Sequence, residues 1–115
     1  MKTPDLIEQK CAPQTQALSA TEIEQYLEAL DDWKLENGKI VREFAFGDYY
    51  ETLAFINAIA YVIHAEDHHP ELHVTYNRCT VRFDTHSVDG GKGGLSINDF
   101  ICAAKVNAIF QQSFS

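Results

Sequence analysis

Apolar and polar positions alternate along the chain in a way that marks out seven elements. The first clear signal is Leu18-Ser19-Ala20-Thr21-Glu22-Ile23. Ser19 can accept from the Glu22 backbone N–H, Glu22 can reach back to Ser19, and Leu18 and Ile23 stand where a hydrophobic staple closes over that capping box. Ile23, Tyr26, Leu27 and Leu30 then recur at helical spacing, which predicts an amphipathic helix ending near Asp31. Trp33 to Glu36 alternates, and Asn37-Gly38 follows, a pair that tolerates the positive φ angles of a tight hairpin. Lys39 to Phe46 supplies the second strand, with Ile40, Phe44 and Phe46 on one side. Gly47 breaks it, and Asp48 is placed to cap a helix.

The longest helical pattern runs from Tyr49 to about Glu66. Leu53, Ile56, Ala60 and Ile63 form one stripe, and Phe55, Ile59 and Val62 widen it. A stripe that broad predicts burial on more than one side, against a sheet and against another helix or subunit. Pro70 forbids continuation because it lacks an N–H and pushes His69 out of the helical region. Leu72 to Tyr76 and Cys79 to His86 alternate around an Asn77-Arg78 turn. Leu72, Val74, Tyr76, Cys79, Val81 and Phe83 are expected on the core face. His73, Thr75, Thr80, Arg82, Asp84 and His86 are expected on the polar one. Ser87 to Gly94 reads as a flexible glycine-rich connection. Ser96 caps a last helix with Leu95 and Phe100 as its staple, and Ile97, Ile101, Ala104 and Ala108 as its buried stripe. Residues 1–17 carry no sustained period and are expected to be a loosely ordered tail, leaving residues 18–115 as one domain.

The order α-β-β-α-β-β-α, with each hairpin next to a helix, predicts an α+β domain in two layers. Helices cover one face of a single antiparallel sheet, and the other face is left for a partner. With 115 residues the chain has room for one core. No apolar run approaches the ~20 residues of a membrane span. The first residues lack the apolar stretch of a secretory signal, so a cytoplasmic setting is expected. The formal charge of −8 repels phosphate backbones and argues against nucleic acid as a partner. Cys11, Cys79 and Cys102 form no C-x-x-C pair, which argues against a disulfide scaffold or a cysteine zinc site and suits a reducing compartment.

The unusual chemistry is histidine. Of five, His64, His68, His69 and His73 fall within ten positions, and His86 closes the last strand. In an antiparallel hairpin from Leu72 to His86, the end of the second strand returns to the start of the first. That predicts His86 near His68 and His69. Imidazoles exchange protons near neutrality, so such a group suits combined acid and base work. Two other readings compete. His64 and His68 stand i,i+4 on a helix, a zinc-ligand spacing, although no H-E-x-x-H motif surrounds them. The broad apolar helix and free sheet face also suit a non-catalytic, oligomeric binding module. Gly90-Gly91-Lys92-Gly93-Gly94 lacks the spacing of a phosphate-binding loop.

Asp67-His68-His69-Pro70-Glu71, then Thr85-His86, then Gly94-Leu95-Ser96-Ile97-Asn98-Asp99-Phe100 occur in that order. Together they resemble the pterin-4a-carbinolamine dehydratase family, most closely its bacterial members, over roughly Leu18 to Ile109. The resemblance implies a four-stranded antiparallel sheet with three helices on one face. It implies dehydration of 4a-hydroxytetrahydrobiopterin, or a related 4a-hydroxytetrahydropterin, to the quinonoid dihydropterin, within tetrahydrobiopterin recycling. It implies catalytic residues His68, His69 and His86, and substrate contacts from these three with Asp67, Asp84, Thr85 and Ser87. It further implies a homodimer or homotetramer, and a functional link to an aromatic amino acid hydroxylase. No metal or redox cofactor is expected, because dehydration needs only a proton delivered to the leaving hydroxyl and one removed from nitrogen. The chain departs from many relatives in two places: His64 replaces a Glu four residues before His68, and the Ser87 to Gly94 link is longer.

Overall fold

The computed structural model describes residues 3–115 of the chain. Four helices, α1 (Thr3–Glu8), α2 (Ala20–Glu28), α3 (Tyr49–Glu66) and α4 (Ile97–Ser113), accompany four strands. The strands are β1 (Lys34–Glu36), β2 (Lys39–Ala45), β3 (Glu71–Val74) and β4 (Arg78–Phe83). They form one antiparallel sheet in the order β1-β2-β4-β3. The architecture is therefore the two-layer α+β arrangement that the pattern predicts, with one helix more.

Local chemistry accounts for the element ends. Ser19 and Glu22 form the reciprocal capping box at the start of α2. Asn37 and Gly38 adopt φ of 52° and 79°, the two positive values that a two-residue hairpin matched to strand twist requires. Asp48 caps α3 by accepting from the Glu51 N–H at 2.9 Å.

Ile40 and Phe44 of β2 and Cys79, Val81 and Phe83 of β4 are buried beneath the helices. Phe44 and Phe46 meet Phe55 of α3 at ring-centroid distances of 4.8 and 5.1 Å, the geometry of tilted aromatic pairs. Between helix and sheet, Asn107 Oδ1 accepts from Trp33 Nε1 at 2.7 Å and from Arg42 Nη1 at 2.6 Å. The guanidinium of Arg42 also lies 4.4 Å over the Phe44 ring.

Several expectations are corrected. On α3 the buried stripe is Thr52, Phe55, Ile59, Val62 and Glu66, whereas Leu53 and Ala60 are exposed and Ile56 and Ile63 only half-buried. Both stripes have helical period, and the one carrying the large Phe55 ring takes the core. Val74 pairs directly with Cys79 and so shares its sheet face, but Val74 and Tyr76 are exposed rather than buried, because β3 is an edge strand. Helix α2 stops short of Asp31. The glycine-rich link is a structured turn: the backbones of Thr85 and Gly94 bond to each other in both directions, and Asp89–Gly91 forms a 3-10 turn.

The largest correction concerns residues 3–17, expected to be a loose tail. They contain α1, whose Leu6 is fully buried against the core. Thr15 and Ala17 are tied to Asp89. Short helices with one apolar anchor escape a periodicity search, and tertiary packing supplies the order.

Candidate active site

Where α3 ends, Asp67 takes the left-handed conformation, φ 50° and ψ 47°, and donates its N–H back to the His64 carbonyl at 3.3 Å. A short polar residue tolerates that conformation. The turn swings His68 off the helix and beneath the sheet end. There its ring lies parallel to Phe83, 6° between planes and 5.8 Å between centroids.

The other side of the His68 ring is fixed by α4. Nε2 of His68 lies 2.6 Å from Oδ1 of Asp99, a fully buried carboxylate in the first turn of that helix. Asp99 Oδ2 accepts from Thr85 Oγ1 and from the Ser96 backbone N–H, both at 2.9 Å. Ser96 Oγ and Thr85 Oγ1 are 2.7 Å apart, so the Ser96 hydroxyl donates to Thr85. Both oxygens of the buried anion are thereby engaged, and a helix N-terminus adds favourable dipoles. A carboxylate holding one imidazole nitrogen as the N–H donor leaves the other, Nδ1, as the proton acceptor.

This pair opens on a cavity of about 330 Å³. Asp67, His68, Thr85 and Ser87 line it, together with Cys11, Ala12, Pro13 and Gln14 of the N-terminal segment and with Glu66 and Asn98. The volume falls within the range of small-molecule pockets.

Four of the expected contact residues therefore meet at one hollow. The rings of the other two histidines do not line it. The side chains of His69 and His86 are 73% and 90% exposed, against 12% for His68. His69 Nε2 lies 3.5 Å from Asp67, and His86 Nε2 lies 3.9 Å from Asp84, which also stays off the cavity wall. The cause at His86 is the alternation of extended chain: Thr85 turns inward to Asp99, so its neighbours turn out. Their backbones nevertheless flank the cavity, since Asp67, Thr85 and Ser87 are part of it. His64 is exposed on α3, and among the described residues no three His, Cys, Asp or Glu side chains are gathered as ligands for a metal ion.

Sequence reasoning missed Asp99, Glu66, Asn98 and the Cys11–Gln14 wall. Ser96-Ile97-Asn98-Asp99 carries the capping-box spacing, the signal that would have located the Asp99 carboxylate. Glu66 continues the buried Phe55/Ile59/Val62 stripe and is itself buried. Its Oε2 lies 2.6 Å from Lys105 Nζ and its Oε1 accepts from the Cys11 N–H at 2.7 Å. Burial pushes the Glu66 carboxyl up, but these two hydrogen bonds and the charges of Lys105 and Lys10 outweigh it and hold it below the ordinary glutamate value. A carboxylate thus reaches the site from position 66 although position 64 is a histidine.

A two-layer α+β domain with a buried carboxylate–imidazole pair opening on a small polar cavity defines a small-molecule site equipped to move protons. Comparison with known proteins carries this further. The profile of the family described as Pterin 4 alpha carbinolamine dehydratase matches residues 16–109. A Bdellovibrio bacteriovorus protein bearing the name pterin-4-alpha-carbinolamine dehydratase is 53% identical over 115 residues, 100% of this chain and 96% of the relative. A Nitrosospira multiformis protein of the same name is 47% identical over 93% of this chain and 94% of its own. In three dimensions the chain is similar to a Brucella melitensis protein described as a transcriptional coactivator/pterin dehydratase. The TM-score is 0.75 at 34% identity, covering 82% of this chain and 98% of that one. The chain belongs to the pterin-4-alpha-carbinolamine dehydratase family of enzymes.

Proposed function

We propose that the chain dehydrates a 4a-hydroxytetrahydropterin to the quinonoid dihydropterin by histidine acid–base catalysis, and that this serves tetrahydrobiopterin recycling. The observation that carries the mechanism is the 2.6 Å contact between His68 and the buried Asp99. The substrate bears a hydroxyl on C4a and a proton on the adjacent N5. In the reaction the C4a–O bond breaks, its electron pair leaves with oxygen, and a proton from an acid completes water. The N5–H electron pair forms the C4a=N5 bond as a base takes the proton. Atoms and charge balance without a redox partner.

His68 is the base in this reading. Asp99 holds its Nε2–H, so Nδ1 is the nitrogen that receives the N5 proton. His86 is the acid, delivered to the leaving hydroxyl from the cavity mouth, where rotation of an exposed side chain is fast. His69 covers the bound ring from the same mouth. Asp67, Thr85 and Ser87 surround the substrate, and Asp84 steadies His86. Proton transfer of this kind contributes ~10²–10⁴-fold, and positioning adds more.

Turnover of a 4a-hydroxytetrahydropterin generated in situ, followed spectroscopically, tests the reading. Unsubstituted protein is expected to accelerate loss of the 4a-hydroxy species, and His68→Ala and His86→Ala to lose about 10²-fold or more. Wild-type turnover in both variants ends the acid–base assignment. No turnover in the unsubstituted protein ends the whole reading.

We further infer a homodimer or homotetramer supplying an aromatic amino acid hydroxylase with recycled cofactor. The exposed Leu53, Tyr50 and Tyr61 of α3 support self-association, since such apolar surface is costly to leave in water. Sedimentation velocity on the purified chain tests it, and a monomer at micromolar concentration rules it out.

A further inference from the structure

The N-terminal part of the cavity lining lies outside the stretch that the family profile matches. Cys11, Ala12, Pro13 and Gln14 precede the region matched by the family profile, which starts at residue 16. Yet this segment supplies four of the ten residues that line the cavity.

It is also held with unusual care. Asn98 grips Ala12 twice: its Oδ1 accepts from the Ala12 N–H at 3.2 Å, and its Nδ2 donates to the Ala12 carbonyl at 2.8 Å. Glu66 Oε1 takes the Cys11 N–H. Gln14 Nε2 donates to the Ala12 carbonyl at 3.1 Å. On the far side, the chain crosses Gly94 so closely that a Cβ there would sit 2.9 Å from the Ala17 Cβ. Asn98 lies one residue before Asp99, so a single helical turn carries both the grip on the wall and the carboxylate that fixes His68.

We propose that residues 11–14 are a substrate-contacting wall that tightens binding of the pterin, and that Asn98 is the positioning residue that holds it. This rests on the dehydratase reading above. Ala12 and Pro13 offer an apolar surface to a flat heteroaromatic ring, and Gln14 offers an amide to its polar edge. The wall touches no atom that gains or loses a proton in the proposed step, so its contribution falls on binding rather than on chemistry.

Two readouts test this. The first is KM against kcat for Asn98→Ala and Gln14→Ala, using the 4a-hydroxytetrahydropterin generated in situ. The second is the rate at which N-ethylmaleimide labels Cys11, read by mass spectrometry with and without saturating 7,8-dihydropterin. Asn98→Ala is expected to raise KM about tenfold with kcat changed less than about threefold, and to speed labelling of Cys11 in the free protein. Gln14→Ala, on a surface position that folding does not need, is expected to raise KM by a smaller factor and decides the matter if Asn98→Ala fails to fold. Dihydropterin is expected to slow Cys11 labelling in the unsubstituted protein. A variant merely impaired in folding lowers apparent kcat and leaves KM alone, and that result overturns the proposal. So does unchanged KM in both variants, or Cys11 labelling indifferent to dihydropterin. Absence of turnover in the unsubstituted protein overturns the dehydratase reading and this proposal together, whereas normal turnover with unmoved KM overturns the wall alone.

Discussion

His68 and Asp99, 31 residues apart in sequence, meet at 2.6 Å and join the end of one helix to the start of another. In the proposed mechanism this contact holds Nε2–H of His68 and leaves Nδ1 as the base. Asp99→Asn is expected to lower kcat for dehydration by about 10²-fold, because an amide can present its N–H₂ to the ring and favour the other tautomer. Steady-state kinetics beside a thermal melt checks this. Full activity in a folded Asp99→Asn protein refutes the role of the carboxylate.

Glu66 links acid stability to the cavity. Its folded pKa lies below the ordinary value of 4.5, so the carboxylate contributes stability that is complete above that value and is lost as pH falls through the folded one. Glu66→Gln is expected to cost about 2 kcal/mol at pH 7 and to flatten the loss of stability on acidification below pH 4.5. Urea unfolding at a series of pH values measures both. Parallel pH curves for the two proteins would count against the pairing with Lys105 and Cys11.

Asn107 serves two donors at once, Trp33 Nε1 and Arg42 Nη1. Asn107→Ala strands the buried indole N–H and removes one of the three polar partners of the Arg42 guanidinium, leaving the Asp31 carbonyl and the Asp32 carboxylate. An expected loss of about 2–4 kcal/mol follows from the cost of leaving buried donors unpaired. Denaturant unfolding with tryptophan fluorescence reads it directly from Trp33. A loss under about 0.5 kcal/mol would show that neither donor depends on this amide.

The three thiols differ in environment. Burial pushes Cys79 up to about 11, and Cys102 is raised by its hydrogen bond to Cys11 and by burial. Cys11 alone of the three is partly exposed. At pH 8 the native protein is expected to take up one equivalent of maleimide, at Cys11, and the denatured protein three. Rapid native labelling of Cys79 would contradict its burial beneath the helices.

Much of this molecule was readable before any coordinates. The capping box at Ser19 and Glu22, the Asn37-Gly38 hairpin, the full extent of α3 and the antiparallel pairing rest on local rules that tertiary structure left intact. What escaped reading is non-local. Which of two apolar stripes on α3 faces inward depends on where the Phe44 and Phe46 rings sit. Whether Tyr76 is covered depends on β3 being at the sheet edge. The His68, His69 and His86 segments do gather at one end of the hairpin. The direction of the rings is another matter: Asp99 fixes that of His68, and Thr85 turning toward Asp99 sends His86 outward. The N-terminal segment gives no periodic signal because a single leucine and a few backbone hydrogen bonds secure it.

Those bonds carry a consequence for synthesis. The Cys11 amide waits for a partner 55 residues further on, and Ala12 for one 86 residues further on. On a ribosome that makes the chain from its amino end, residues 11 and 12 are made before either of the partners that hold them. Any nascent chain halted before position 98 lacks both the clasp and the carboxylate. Closure of this wall therefore rests on a contact of long sequence separation, the kind that forms slowly in folding.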